Sequence, residues 1–377
     1  MKGASYDVIV VGLGAMGSAT LYHLARRGHR VLGLDRFSPP HTMGSSHGQT
    51  RIIREAYFEH PTYVPIVQRA YVLWDELARE AGAELLLKTG GLMIGRPDSV
   101  VFSGAKRSAD THRLPHEILN ADDVRRRFPA LRPDDDMSAI LEPRAGILFP
   151  ERCMAAHLSL AVRYGANVRT EEPVHRWEET ASGVKIVTTR GEYHADHLIL
   201  SAGSWITQLV PELKLPFNVE RQVLFWFEST TSPALFYPER CPIHLWQFGD
   251  RRFFYGFPDL GEGVKVACHH DGEFTSPDQI CRDVTSAEIE AMRSVVKRYV
   301  PGANGPLRSA TVCMYTNTPD EHFWIDWHPG CLRVLIASPC SGHGFKFSSA
   351  IGEILCQLVA EGRTQFDLSL FRARSFA

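Results

Sequence analysis

Two short stretches carry side chains whose chemistry packing alone does not explain. In TVCMYTNTPDEHFWID, 311–326, Cys313 and Tyr315 stand two residues apart in a polar, turn-rich setting, and an extended backbone would put them on one face. In GVKVACHH, 263–270, a strand over 264–270 would point Lys265, Ala267 and His269 one way and Val264, Val266, Cys268 and His270 the other. A thiolate is a nucleophile. A lysine and a histidine flanking a small alanine can line a wall on which charge develops, and Tyr255 in RRFFYGF adds a phenol. Each group also has a plainer reading: Cys313 as a buried thiol, Lys265 and His269 as a solvated strand face, Tyr255 as aromatic packing.

Such groups need a scaffold that brings them together. DVIVVGLGAMG, 7–17, is a short apolar run followed at once by Gly12, Gly14 and Gly17 in G-x-G-x-x-G spacing. Ala19, Leu21, Leu24 and Ala25 then form a helical stripe up to Gly28, and 30–34 reads as a second strand ending at Asp35. In that context Gly12 permits a tight turn, Gly14 lets the backbone approach a pyrophosphate and Gly17 lets the helix pack closely. The helix N-terminus offers positive charge to phosphate, and Asp35 is placed to accept hydrogen bonds from a ribose. The unit leaves FAD and NAD both open, with a glycine turn that holds no nucleotide as the plainer alternative.

The next segment, RFSPPHTMGSSHGQTRIIREAY, 36–57, reads as a loop and sets His47, Arg51 and Arg54 close to the nucleotide unit. Read alone, Arg54 is a loop salt-bridge former. Together, GLGAMG, the PPHTMGSSHGQTRIIR loop and CMYTNTPDEHFWID resemble the monomeric sarcosine oxidase family, which includes N-methyltryptophan oxidase and pipecolate oxidase. The resemblance spans nearly the whole chain, as far as SGHGFKFSS at 341–349.

The resemblance implies FAD held covalently through Cys313, and oxidation of a secondary amine, N-methyl or cyclic, by dioxygen to an imine and hydrogen peroxide. It places Lys265 over the flavin where oxygen reacts, His269 toward the substrate amine, and Tyr255 and Arg51 beside them as catalytic groups. Arg54 and Lys346 become a carboxylate clamp, the guanidinium gripping through two parallel hydrogen bonds and the ammonium adding a point charge. Tyr255 and His269 are also implied substrate contacts.

Cofactor contacts are implied for Ser45, His47, Thr50 and Arg51 in the loop, and for Val174, Ala202, Gly203 and Trp205 in mid-chain. Near the end they are implied for Tyr315, Gly342, Gly344, Phe345 and Lys346. His47 and Arg51, as neighbouring cations, would favour the Cys313 thiolate. Without the resemblance, SAGSW at 201–205 is a tight strand-to-helix turn, and SGHGFKFSSA at 341–350 is an ordinary helix start.

Departures from better-known members occur at Ser46, Gln49 and Glu55 and along Leu245, Trp246 and Gln247, and Glu55 is placed to compete for Arg54. Asp320, Glu321 and Asp326 are assigned to turn and cap chemistry. Two other functions stay open: a flavin dehydrogenase or deaminating oxidase of the glycine oxidase type, and a flavoprotein subunit without turnover.

The elements that must position these groups point to an α/β (α+β) fold, a Rossmann-like FAD-binding domain with a second, antiparallel-sheet substrate domain. The expected division is 1–86, 146–216 and 311–377 for the first, and 87–145 with 217–310 for the second. Helical spacing marks 61–82, 154–164, 286–299 and 348–360, with a short helix from Asn120 that stops before Pro129. Aromatic and β-branched runs such as QVLFWFE and HLWQFG read as strands of the second sheet.

The balance of 41 basic and 43 acidic residues offers no basic patch for nucleic acid or an anionic membrane. A small-molecule secondary amine and dioxygen are therefore the expected partners, with a monomer implied by the resemblance. No apolar run is long enough to span a bilayer, and MKGASYDVIVVG has no signal-peptide layout, so a cytoplasmic enzyme is expected. Eight cysteines without a C-x-x-C pair argue against a zinc site, and a disulfide framework is not expected in a cytosolic chain.

Overall fold

The computed structural model describes residues 5–376. Residues 1–4, on which the reading of the N-terminus partly rests, lie outside the described residues. The apolar run becomes the strand Ser5–Val11, which lies between Val31–Leu34 and Glu192–Leu200 and is parallel to both. Strands buried on both faces read as continuous apolar runs, and here Val8, Ile9 and Val10 are all within the core. Asn167–Arg169 adds to the far side of Val31–Leu34, and Cys331–Ser338 runs parallel to the end of Glu192–Leu200. The strands Val174–Thr180 and Gly183–Thr188 form an antiparallel hairpin that extends the same sheet.

The helix Ala15–Arg26 packs against Pro150–Arg163 and Ser348–Glu361, covering one face of that sheet. The stripe foreseen over 61–82 forms the helix Tyr63–Ala81, closed by Gly82 in the left-handed conformation at φ 62°. Its buried face carries Tyr63, Tyr71 and Trp74, and Trp74 Nε1 donates to Lys346 O at 3.0 Å. One core helix thereby fixes the turn that carries a predicted site residue.

The second sheet is mostly antiparallel. It runs in the order Phe274–Thr275, Asn218–Phe227, Val264–His269, Arg252–Gly256, Ile243–Gly249, Gly91–Gly95, Ser138–Glu142, Glu117–Asn120. One junction departs from the expected pattern: Ile243–Gly249 and Gly91–Gly95 pair in parallel, because the chain returns from the nucleotide unit between them. The strand Leu307–Asn317 pairs with Asn218–Phe227 along its whole length, so Cys313 and Tyr315 sit on this second sheet. The expected boundary at 310/311 therefore cuts through a strand, and the sheet boundary falls after Asn317.

A third, three-stranded sheet joins Arg51–Ile53, Gly146–Leu148 and Leu86–Lys88. The segment read wholly as loop thus becomes strand at Arg51, where its apolar Ile52 and Ile53 find a distant partner. The acidic groups also differ from the expectation. Asp320 and Asp326 bind Arg374 and Arg372, clamping the C-terminal segment instead of capping turns alone.

Candidate active site

A cavity of about 560 Å³ runs from the carboxyl ends of the parallel strands to the second sheet. Its nucleotide end is built by the turn after Ser5–Val11. Gly12 adopts φ 87°, and a Cβ added at Gly17 would stand 1.7 Å from Gly12 O, so neither position accepts another residue without rebuilding the turn. Gly14 lines the cavity at the start of Ala15–Arg26. Asp35 accepts from Leu13 N at 2.7 Å and Phe37 N at 2.8 Å, while burial pushes its carboxyl upward. Glycine turn, helix N-terminus and terminal carboxylate fit a dinucleotide pyrophosphate and ribose.

Val174, Ala202, Gly203 and Trp205 line the same end, with SAGSW forming a short 3₁₀ turn at Gly203–Trp205. Sequence reasoning missed the strap that closes it. Asp278 accepts from Trp205 Nε1 at 2.8 Å, Gln208 Nε2 at 2.7 Å and Arg36 Nη1 at 3.2 Å. Arg282 donates to Thr42 O and Met43 O, tying the same segment to the loop. Glu172 was missed too. Its Oε1 accepts from Thr188 and Tyr193, and its buried Oε2 has no protein partner among the described residues.

At the other end the second sheet delivers Cys313, Tyr315, Tyr255 and His269 to the cavity. The shared face of Cys313 and Tyr315 follows from the strand, as expected. Cys313 is 2% exposed and packs with Leu224, Trp226 and Ala267. Its Sγ lies 3.4 Å from Ser45 O and 3.6 Å from Arg51 Nη2, which itself donates to Ser45 O at 2.7 Å. His47 does not supply the second cation that was expected. Burial, then the charges of Arg51, Arg282 and Lys265, hold its imidazole down at about 3, so it is neutral, and the cation in contact with the sulfur is Arg51.

Lys265 and His269 do share a strand face, but only His269 borders the cavity. Lys265 stands behind the wall, where its Nζ donates to Gly48 O at 2.6 Å, Thr50 O at 3.0 Å and Thr50 Oγ1 at 2.9 Å. Thr50 and His47 likewise support the wall without lining the cavity. Burial first, then Arg51, pushes the lysine well below its ordinary value. His269 Nδ1 lies 3.1 Å from Tyr315 OH, and burial, then the His270 ring, hold it well below the usual imidazole range. Burial pushes the Tyr255 phenol up to about 12, so it is a hydroxyl donor near neutrality.

His270 overturns the alternation foreseen for 264–270. The strand ends at His269, and φ 56° at His270 swings its ring to 4.1 Å from that of His269.

Arg54 and Lys346 meet in the cavity, together with a partner that sequence reasoning assigned wrongly. Arg54 Nη2 donates to both oxygens of Glu59 at 2.9 and 2.8 Å, and Nη1 donates to Ala56 O. Glu55 faces Arg144 instead, because consecutive side chains on this extended segment diverge. Glu59 is held below the usual carboxyl range: burial raises it, but the charge of Arg54, with Lys346 behind it, outweighs that. Lys346 Nζ donates to His343 O at 2.7 Å, and burial, then Arg54, bring it down to about 7. Gly342 at φ 75° lets the turn pass beneath Tyr315, whose ring an added Cβ would meet at 2.6 Å. Gly344 and Phe345 complete that wall, and His343, missed earlier although it stands between the two glycines, joins Tyr57 OH at 2.5 Å. Of the Leu245, Trp246 and Gln247 wall, only Leu245 reaches the cavity; Trp246 is core and Gln247 caps a backbone N–H.

Glu142 secures the Arg54 segment by accepting from Glu55 N and Ala56 N, both at 2.7 Å. Burial raises its carboxyl to about 7 against those two hydrogen bonds. A folded-state value above the unfolded one means the fold holds the proton more tightly, so stability falls as pH rises between about 4.5 and 7. Glu142→Gln is expected to flatten that slope, worth up to roughly 3 kcal/mol. Denaturant titrations at pH 5 and 7.5 check it, and an unchanged slope contradicts it.

A dinucleotide cradle joined to a thiol, two cations and an imidazole defines a flavoprotein oxidoreductase site. The model of the FAD dependent oxidoreductase family matches residues 7–358. The chain is 45% identical to the monomeric sarcosine oxidase of Streptomyces avermitilis, over 99% of this chain and 98% of that one. It is 34% identical to the N-methyl-L-tryptophan oxidase of Salmonella arizonae, over 99% of each. The solved structure of NikD, an unusual amino acid oxidase essential for nikkomycin biosynthesis, superposes with a TM-score of 0.85 at 26% identity, over 98% of each chain. The chain belongs to the monomeric sarcosine oxidase and N-methyltryptophan oxidase family. Among the described residues no helix is long and apolar enough to cross a membrane.

Proposed function

We propose that the protein oxidises a secondary amino acid, N-methyl or cyclic, with dioxygen as acceptor, and holds FAD covalently through Cys313. FAD, when bound, supplies the two-electron acceptor. The chain's own residues bind and orient the amine. Arg54 and Lys346 take the substrate carboxylate, for which Arg54 exchanges one of its contacts to Glu59, while His269 and Tyr255 face the nitrogen. The substrate loses a hydride equivalent from the carbon beside nitrogen and a proton from nitrogen, giving an imine. Water hydrolyses the imine, yielding formaldehyde and the demethylated amino acid from an N-methyl substrate. Two electrons and two protons convert dioxygen to hydrogen peroxide.

One observation carries this reading. A single cavity joins the dinucleotide cradle to both halves of an amino-acid site, cations at Arg54 and Lys346 and an uncharged imidazole at His269. A neutral imidazole suits an amine that must lose its proton before oxidation. The family's monomeric members support a monomer, and eight free thiols suit a reducing, cytoplasmic compartment.

A screen of sarcosine, N-methyltryptophan, pipecolate and proline for peroxide tests the function. Peroxide with formaldehyde from an N-methyl substrate is expected; ammonia release from primary amino acids alone would support the glycine oxidase type instead. For the clamp, Arg54→Met is expected to raise KM for N-methyl amino acids by about a hundredfold, because a buried, hydrogen-bonded charge partner is worth 2 to 5 kcal/mol, roughly, when truncated. Steady-state kinetics check this, and an unchanged KM contradicts the clamp.

A further inference from the structure

Behind His269 lies a buried polar cluster that the amine chemistry above does not use. Glu220, 4% exposed, projects from Asn218–Phe227 and receives hydrogen bonds from two other parts of the fold, the turn at 270–272 and the end of Leu307–Asn317, as well as from its own strand. Gln222 Nε2 donates to Oε1 at 2.7 Å and Gly272 N donates to Oε1 at 2.9 Å. Asn317 Nδ2 donates to Oε2 at 2.6 Å, and His270 Nδ1 lies 3.1 Å from the same oxygen. A carboxylate saturated in this way is a rigid anchor, because moving it would break several charge-assisted hydrogen bonds at once.

What Glu220 anchors is a residue in an unfavourable conformation. His270 holds φ 56°, a left-handed backbone costly for a residue with a Cβ and sustained only where its surroundings enforce it. The cost has a geometric result. The His270 ring lies against that of His269, centroids 4.1 Å apart, and both rings stand 5.4 Å from Tyr315. A regular strand would have sent the His270 side chain to the opposite face.

We infer that Glu220 and His270 form a positioning pair for His269: the anchored His270 ring fixes the plane of the His269 ring, keeping Nδ1 on Tyr315 and leaving Nε2 to the amine. The pair acts through His269 and touches neither substrate nor cofactor. Other charged groups near His270 are few. Glu321 Oε2 lies 4.0 Å from its Nε2, and Arg251 pairs with the far side of that carboxylate at 3.5 Å. The inference rests on the amine-oxidase reading for its kinetic consequence, but its structural consequence is independent of turnover.

The test uses the flavin-loaded full chain with ¹⁵N-labelled histidine, the His269 signals being assigned by their loss in His269→Asn. Wild type is expected to show one His269 tautomer, with well-separated Nδ1 and Nε2 shifts. His270→Gly and His270→Asn, both compatible with a left-handed backbone, are expected to bring the two shifts toward their average, and Glu220→Gln to do so in part. In anaerobic reduction by sarcosine the same variants are expected to lose about tenfold or more in the limiting rate, as misorientation at a reacting centre does. Their affinity for acetate, read from the flavin absorbance shift, stays within about twofold, since Arg54 and Lys346 are untouched.

An unchanged tautomer pair with an unchanged rate in His270→Gly would overturn the inference. So would a parallel fall in rate and acetate affinity, which marks general loosening of the site. Failure of sarcosine and every other secondary amine to reduce the wild type would count against the proposed function instead, with the ¹⁵N result still judging the pair.

Discussion

Cys313→Ala is expected to release all of its flavin on acid precipitation, leaving a white pellet and a yellow supernatant where the wild type gives a yellow pellet. Cys313 is the one of the eight cysteines that both borders the cavity and lies beside an arginine, with Arg51 Nη2 3.6 Å from its Sγ. The guanidinium points its N–H at the sulfur, the atom proposed to add to an electrophilic carbon of the isoalloxazine. Cys340 also lines the cavity, but burial raises its thiol to about 11, which leaves it a poor nucleophile near neutrality. Cys340→Ala should therefore keep the yellow pellet. Because the nucleotide cradle does not depend on the thiol, Cys313→Ala should still bind FAD reversibly. A yellow pellet from Cys313→Ala contradicts the assignment.

Lys265→Met is expected to slow reoxidation of the reduced enzyme by oxygen by about a hundredfold or more, and to change anaerobic reduction by amine far less. All three hydrogen bonds of Lys265 go to neutral oxygens, and its ammonium stands 4.8 Å from the Phe257 ring and 5.2 Å from that of Trp226. A cation held this way has no carboxylate in direct contact, and Glu151 acts on it only from a distance. Negative charge developing on oxygen inside the cavity is then its natural counter-charge, and in a site screened from water that attraction is strong. Burial lowers the lysine when the cavity is neutral. The same negative charge favours its protonated form when it matters. Stopped-flow traces of each half-reaction decide the point, and equal slowing of both would assign Lys265 to structure alone.

The features legible in the sequence are those encoded locally. The first strand, glycine turn, helix and second strand read correctly because each is a short-range pattern with its own period. Cys313 and Tyr315 share a face because their strand is regular. His270 broke the same rule, since one left-handed residue reverses the alternation and no composition signal marks it. Glu59 was missed in favour of Glu55, the neighbour in sequence, because which carboxylate reaches Arg54 depends on how the chain turns over residues 55–59. Asp278 closes the nucleotide end from more than 240 positions beyond Arg36, a contact only the assembled fold creates. The neutral state of His47 has the same origin, for burial and its surrounding cations arise from packing.

The most direct test of the amine-oxidase account is an anaerobic absorbance titration of the purified wild-type protein with sarcosine and N-methyltryptophan, followed by admission of air. The account predicts that the flavin band near the visible blue bleaches under argon and returns with oxygen as peroxide accumulates. A band that no secondary amine bleaches, in protein that carries its flavin, would contradict it.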